Sequence, residues 1–320
     1  MNRNIVVTVL LFGILTLASA GCQNNTSTSA TFVGGDKGLA ISFLPGSPPD
    51  EAFDAGQRPF DVVVQLKNVG EYDVAAENVL LKVSGLSPND FGVLPQDLVK
   101  RPSEPLTKTQ KDPTGETVIE GAITTIDFTN LRYLPVLSGP TTFPIRVDVC
   151  YKYGTVSEST LCIKENPLNE REQAVCKVNE EKPVENSGAP VKVTKLKEFA
   201  KGRDQIGFTF NIEKVGSGQL FRPGSDCNAN SDSIVDENKV FITVDSRLSG
   251  LRCSGLQGGS DTAGYAVLYG GTEGSGGLSR AITCTQSLPP RVTAFPQLIR
   301  INIEYDYKEF VSTEIVVKHG

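Results

Sequence analysis

Apolar and polar residues alternate along much of the chain, which is the period of β-strands with one buried face. Phe60, Val62, Val64 and Leu66 occupy every second position, and Val69-Gly70 ends the run. Gly, Pro, Asn and Asp separate this run from later ones, and no long stretch has the apolar period of an amphipathic helix. The pattern therefore predicts an all-β fold of short strands.

The alternating pattern occurs twice, which indicates a tandem duplication. The first run recurs at residues 206–212 (IGFTFNI), and Val-Gly again closes it. Residues 145–153 (IRVDVCYKY) align without gaps to 299–307 (IRINIEYDY), and the alignment continues further along both copies. Because matching segments follow in the same order, we infer two copies of one domain.

Each copy has the length and the turn content that are typical of a β-sandwich. We predict one sandwich at residues 37–164 and a second at residues 190–320. Residues 165–189 are rich in Glu, Lys, Asn and Pro and are predicted to form a linker. In the first copy, residues 154–157 are predicted to form a hairpin turn between the strands on either side.

The first 21 residues have the features of an export signal. Arg3 precedes an apolar stretch at residues 5–18, and small residues lead into Cys22. This ending resembles a lipoprotein signal, in which the thiol of Cys22 receives diacylglycerol. A secretory signal cleaved after Ala20 and an uncleaved signal anchor are the open alternatives. From Cys22 to residue 36 the chain is predicted to form a flexible tether, since it begins with small polar residues.

Composition narrows the possible functions. Hydrophobic residues make up 39% of the 320 residues, which is enough to form a buried core. The 31 Lys and Arg residues against 37 Asp and Glu residues give a net charge of −6, which argues against nucleic-acid binding. The single histidine is His319, so the commonest general base is nearly missing. We predict that the protein has no catalytic activity.

Cysteine usage agrees with export. Besides Cys22 there is an even number of cysteines, which indicates disulfides in an exported chain. We expect one bridge across the predicted hairpin, one within the second copy, and one from the linker to the second copy. Six cysteines allow 15 connectivities, so the pairing is a hypothesis. The expected pairs are Cys150–Cys162, Cys253–Cys284 and Cys176–Cys227.

One loop of the second copy has the oxygen spacing of a calcium site. Side-chain oxygens fall at loop positions 1, 3, 5, 7 and 12, as in loops that wrap one hard cation. Asn and Asp are also common in ordinary turns for backbone reasons, which is the alternative explanation. The candidate ligands of weakly bound calcium are Asp226, Asn228, Asn230, Asp232 and Glu237.

The first strand pair carries a resemblance to a known family. Residues 60–70, with Asn68 and Gly70, are followed by residues 79–83, and together they resemble the Asn-x-Gly strand pair of immunoglobulin-like domains in prokaryotic surface proteins. The chain is similar in layout to archaeal-type surface lipoproteins with two such domains, although Lys214 replaces the Asn in the second copy. The resemblance implies two Ig-like sandwiches anchored at the cell surface.

These observations favour a membrane-anchored, extracytoplasmic protein with a binding, adhesion or envelope-structural role, whose partner is a protein or a glycan. An accessory lipoprotein that docks one partner of a membrane complex is the alternative, and a carboxylate-based glycan-active enzyme comes third. One further pattern has two explanations, an exposed aromatic platform for a ligand or packing of a strand face into the core. Its residues are Tyr151, Tyr153, Tyr305 and Tyr307.

Overall fold

The computed structural model describes residues 31–169, 174–227, 236–270 and 277–320. Within these ranges the chain forms two 3₁₀ turns, Ala76–Asn78 and Pro95–Leu98, and nineteen β-strands. The predicted all-β sandwich fold is confirmed. The strands are β1 (Leu39–Phe43), β2 (Glu51–Phe53), β3 (Phe60–Asn68), β4 (Val79–Ser84), β5 (Val99–Lys100), β6 (Gln110–Lys111), β7 (Val118–Ile119), β8 (Ile123–Leu131), β9 (Thr141–Ile163), β10 (Glu181–Lys182), β11 (Glu185–Asn186), β12 (Val191–Ala200), β13 (Gln205–Lys214), β14 (Gln219–Phe221), β15 (Lys239–Asp245), β16 (Leu251–Ser254), β17 (Ala263–Val267), β18 (Ser279–Ser287) and β19 (Phe295–Lys318).

The predicted export signal and the candidate lipidation site Cys22 lie outside the described residues. In the part of the chain that is described, no helix has both the length and the apolar character needed to cross a bilayer. Lipid anchoring therefore stays a prediction from the sequence.

One large sheet runs through both copies of the repeat. Its strand order is β17-β15-β19-β9-β4-β5, and β14, β2 and β11 add to the edges of β19 and β9. A three-stranded sheet, β1-β3-β8, belongs to the first copy. A five-stranded sheet, β10-β12-β13-β18-β16, combines four strands of the second copy with β10, which comes before that copy in the chain. The strands β6 and β7 form a separate small hairpin.

The two longest strands join the copies. β9 and β19 pair antiparallel along all 23 residues of β9. The hairpin turn predicted at residues 154–157 is wrong, because β9 passes straight through these residues. Gly154 keeps an extended backbone, and the Tyr72 ring fills the space where a side chain would project, since a Cβ there would lie 2.4 Å from it. Thr155 and Val156 are β-branched and favour a continuous strand.

An approximate two-fold axis relates the two copies. Lys152 pairs with Asp306, and these two residues are equivalent in the repeat alignment. Moving away from this pair, Tyr151 faces Tyr307. Because equivalent residues meet at one point of an antiparallel ladder, the axis passes between Lys152 and Asp306.

Each long strand ends in the opposite copy. At the end of β19, residues 316–318 pair with β2 of the first copy, and the Asp54 N–H donates to the Lys318 carbonyl at 2.9 Å. At the end of β9, the Cys162 N–H donates to the Glu198 carboxylate of the second copy at 3.0 Å. One continuous set of buried residues therefore includes both copies.

Alternation along β9 and β19 divides the large sheet into two faces. Odd-numbered residues from Ile145 to Ile163 are buried, as are those from Ile299 to Tyr307. The smaller sheets contact this inner face, for example where Thr155 Oγ1 donates to the Val191 carbonyl at 2.7 Å. Even-numbered residues of the two strands form the opposite surface, which we call the outer face.

All six cysteines of the described chain form disulfides, which indicates an oxidising, extracytoplasmic environment. The expected Cys253–Cys284 pair is confirmed, but the other two expected pairs, Cys150–Cys162 and Cys176–Cys227, are wrong. Cys150 and Cys162 lie on one extended strand, which separates them by about 40 Å and prevents a bond. The observed bridges are Cys150–Cys227, Cys162–Cys176 and Cys253–Cys284.

Candidate binding site on the outer face

The four tyrosines of the repeat pack in the core around the two-fold axis. Tyr151, Tyr153, Tyr305 and Tyr307 are fully buried, and their ring centroids lie 5.7 to 6.4 Å apart in neighbouring pairs. Desolvation raises the pKa of all four hydroxyls. Because no ring faces solvent, core packing explains this pattern, and an exposed aromatic platform does not.

Two of the tyrosine hydroxyls shape the neighbouring surface. Tyr151 donates to the Glu309 carboxylate at 2.7 Å, and Tyr307 accepts the Gly218 N–H at 2.7 Å. Desolvation raises the pKa of Glu309, and the hydrogen bond from Tyr151 favours its charged form. These bonds hold the segment before β14 and the adjacent part of β19 in a defined arrangement.

Ion pairs cover the outer face at the axis and on one side of it. The Lys152 ammonium lies 3.1 Å from the Glu304 carboxylate, and Arg300 pairs with Glu158 at 2.5 Å. The Lys152 and Glu304 side chains are both more than one-third exposed, so their pair contributes little to stability. They give this part of the surface a balanced charge.

A buried carboxylate fixes the base of the loop that carries the calcium hypothesis. Asp306 is 2% exposed and accepts the backbone N–H groups of residues 224–226 at 3.1, 2.8 and 2.9 Å. The next residue, Cys227, forms the disulfide with Cys150 on β9. Three converging N–H donors and one covalent bond therefore hold this loop base on the outer face, next to the axis.

The structure describes the two ends of the candidate calcium loop. Asp226 lies at its fixed base, and Glu237 forms a β-bridge with Phe221. Within the described ranges, no group of three His, Cys, Asp or Glu residues has the arrangement of a metal site. The calcium site stays a prediction, because three of its candidate ligands lie outside the described residues: Asn228, Asn230 and Asp232.

A cavity of about 570 Å³ opens beside β14 and the middle of β19. The Arg146 guanidinium lies 3.7 Å from the centroid of the Phe310 ring and also donates to Asp148 at 2.7 Å. The Phe310 side chain is 53% exposed, and Lys308 forms no ion pair with a described residue. The lining residues are Arg146, Ser217, Gly218, Gln219, Lys308, Glu309 and Phe310.

The cavity has the chemical features of a recognition surface. An exposed aromatic ring, a guanidinium stacked on it and an ammonium that pairs with no described carboxylate can together contact a ligand with apolar and anionic groups. Aromatic and arginine side chains are also the residue types that dominate binding energy at protein interfaces. The cavity volume lies in the range of known ligand sites.

Two buried carboxylates lie away from this cavity and hold the ends of the long strands. Glu198 is fully buried, lies 3.1 Å from the Lys182 ammonium, and has a pKa raised to about 7 by desolvation. Asp54 accepts the Leu137 N–H at 2.7 Å and lies 2.9 Å from His319 Nδ1, and these contacts lower its pKa. Both groups have structural partners that account for their burial.

Sequence reasoning did not identify Arg146, Lys308 or Phe310. The available signal was Phe310, an apolar residue at an outward position where the neighbouring even-numbered residues of the strand are charged or polar. No protein-family model and no curated protein sequence matches the chain.

Proposed function

We propose that this protein is a lipid-anchored, extracytoplasmic binding protein that uses the outer-face cavity to bind its partner. The observation that carries the proposal is the exposed Phe310 ring, with Arg146 stacked on it and Lys308 beside it. An aromatic ring exposed to solvent adds no hydrophobic stabilisation to the folded protein. The same ring contributes binding energy when a partner covers it.

The surrounding structure supports a binding role. The cavity lies on a 23-residue strand pair, and the Cys150–Cys227 disulfide crosses from this pair to a nearby loop. A binding surface on rigid strands loses little conformational entropy when the partner docks. The export signal and Cys22 in the sequence support an anchored location outside the cytoplasm.

Membrane anchoring is tested by Cys22→Ser in the native host. The variant is expected to leave the membrane fraction, because the acylated thiol is lost, and the N-terminal peptide of the wild type should carry the added lipid mass. Thr26→Ser, a similar change that leaves Cys22 intact, should stay in the membrane fraction. An unmodified Cys22 peptide from wild-type membranes would disprove the lipid anchor.

Partner binding is tested by retention from detergent-solubilised membranes on the immobilised full chain. Phe310→Ala should lower retention several-fold. Tyr269→Ala is the matched control. Tyr269 is 59% exposed and has Arg280 over its ring at 5.5 Å, but it does not line the cavity. Equal retention by wild type and Phe310→Ala would refute the site. One stoichiometric protein would indicate the accessory role, and glycan retention would indicate adhesion.

A further inference from the structure

One edge of β19 has no strand partner in the middle of its length. On this edge β14 pairs with residues 306–308 and β2 pairs with residues 316–318. Among the described residues, no strand pairs with the intervening residues on this side. The gap begins at the outer-face cavity, since Phe310 belongs to both.

The direction of the free backbone groups follows from the flanking hydrogen bonds. The Val316 N–H donates to the Asp50 carbonyl at 3.0 Å, and the Lys318 carbonyl accepts the Asp54 N–H, so even-numbered residues face this edge. Successive residues of a strand direct their N–H and C=O groups to opposite sides. Three residues therefore present donors and acceptors that pair with no described backbone group, and we call them the open edge: Phe310, Ser312 and Glu314.

The repeat shows what occupies the equivalent edge of β9. In the alignment, Val156 and Glu158 correspond to Phe310 and Ser312. The Ser187 N–H donates to the Val156 carbonyl at 2.8 Å, and Glu158 pairs with Glu185 of β11. The first copy of this strand thus has an added extended segment at a position where no described segment pairs with the second copy.

We propose that the open edge of β19 binds an extended peptide segment of a partner protein as an added β-strand. The inference rests on the proposed binding function and names the class of partner. The spacing of the three free residues matches about five residues of added strand. The pairing at Val156 and Glu158 shows that this fold accepts such a segment at the equivalent position.

The cavity at one end of the open edge selects a side chain of the bound segment. Lys308 brings a positive charge that pairs with no described carboxylate, whereas the Arg146 guanidinium pairs with Asp148 and the Glu309 carboxylate accepts the Tyr151 hydroxyl. An acidic side chain entering beside Lys308 would gain an ion pair there. We therefore expect the bound segment to carry Asp or Glu at the position that faces the cavity.

The test selects binders from a library of random displayed peptides on the immobilised full chain in detergent. We expect selected peptides to be enriched in Asp or Glu at one position, and hydrogen exchange at Phe310, Ser312 and Glu314 to slow when a synthesised peptide binds. Ser312→Pro removes one donor from the edge and should weaken binding about ten-fold. Lys308→Glu should weaken binding of the acidic peptides similarly.

A second measurement needs no altered protein. N-methylation of peptide amides that face β19 should abolish binding, whereas methylation of the alternate amides should leave it unchanged. Failure to select any peptide, or equal loss from both methylation patterns, would overturn the open-edge proposal. Equal affinity for the wild type and Ser312→Pro would do the same. Loss of partner retention in Phe310→Ala would still support the proposed function in those cases, so the two failures are distinguishable.

Discussion

At the scale of single residues, Glu198 is a buried carboxylate that holds the end of β9 and is desolvated in doing so. Its carboxylate accepts the Cys162 N–H and faces Lys182, yet it is fully buried. Desolvation outweighs these favourable contacts and raises its pKa from 4.5 to about 7. The folded state therefore holds a proton on Glu198 more tightly than the unfolded state does.

This pKa difference predicts a pH dependence of stability. The stabilising contribution of protonated Glu198 is complete below about pH 4.5 and is lost as pH rises to about 7. Between these values, the unfolding free energy of the wild type should fall by a few kcal/mol relative to Glu198→Gln. Urea unfolding at pH 5 and pH 8 measures the difference. Glu51→Gln, which alters an exposed carboxylate that pairs with Lys318 at the other end of the long strands, should keep the wild-type dependence. A Glu198→Gln variant with the same dependence would contradict the prediction.

At the scale of elements, the two long strands are equivalent in sequence but differ at their edges. Glu158 on β9 pairs with β11, whereas the equivalent Ser312 on β19 faces the open edge. Proline removes a backbone donor, so its effect depends on whether that donor has a partner.

Matched proline substitutions test this difference. Glu158→Pro should lower the unfolding free energy by about 1–3 kcal/mol relative to Glu158→Ser, because both variants lose the ion pair with Arg300 and only proline breaks the pairing with β11. Ser312→Pro should have a clearly smaller effect, because no described backbone group pairs with Ser312 on the open edge. Thermal unfolding of all three variants gives the comparison. Equal destabilisation would show that the edge of β19 is covered.

The loop that follows β14 carries the calcium prediction. We predict that calcium binds there weakly, with a Kd on the order of 10⁻⁴–10⁻³ M, as in extracellular modules. Several millimolar calcium should raise the melting temperature of the full chain, and Glu237→Ala should abolish the shift because it removes the position-12 ligand. Asp112→Ala, which alters a carboxylate in a turn of the first copy, is the control. An unchanged melting temperature, or an equal shift in Glu237→Ala, would rule the site out.

At the scale of the whole molecule, the two copies are joined by strand pairing, a disulfide and a shared core. Three kinds of contact connect one copy to the other. They are the pairing of β9 with β19, the end of each long strand packed in the opposite copy, and the Cys150–Cys227 disulfide. A copy expressed alone would lack the partner of its longest strand. It would also lack the strand end that the other copy contributes to its core.

The full chain is therefore expected to unfold in one transition, with circular dichroism and tyrosine fluorescence changing together. The fragment 190–320 should not form a stable monomer, since it lacks β9 and the strand end at Leu161 and Ile163. Denaturant unfolding and sedimentation of both proteins provide the measurement. Two separate transitions in the full chain, or a fragment with the same midpoint, would show that the copies are independent.

The sequence by itself determined that the fold is all-β, which faces of the alternating strands are buried and that one pattern occurs twice along the chain. These properties depend on local alternation, which is visible in runs such as 60–66 and 299–307. It also determined that the six cysteines would pair, since their number and the export signal are sequence properties.

Only the tertiary structure decided how the copies join, which cysteines meet and where an edge stays open. A glycine such as Gly154 is compatible with a turn or with an extended strand. In the structure it is extended, and the Tyr72 ring packs against it. Once β9 runs straight, Cys150 meets Cys227, a residue of the other copy. The open edge at Ser312 has no sequence signal, because strand pairing depends on backbone groups that every residue carries, and only their neighbours in space determine whether they are satisfied.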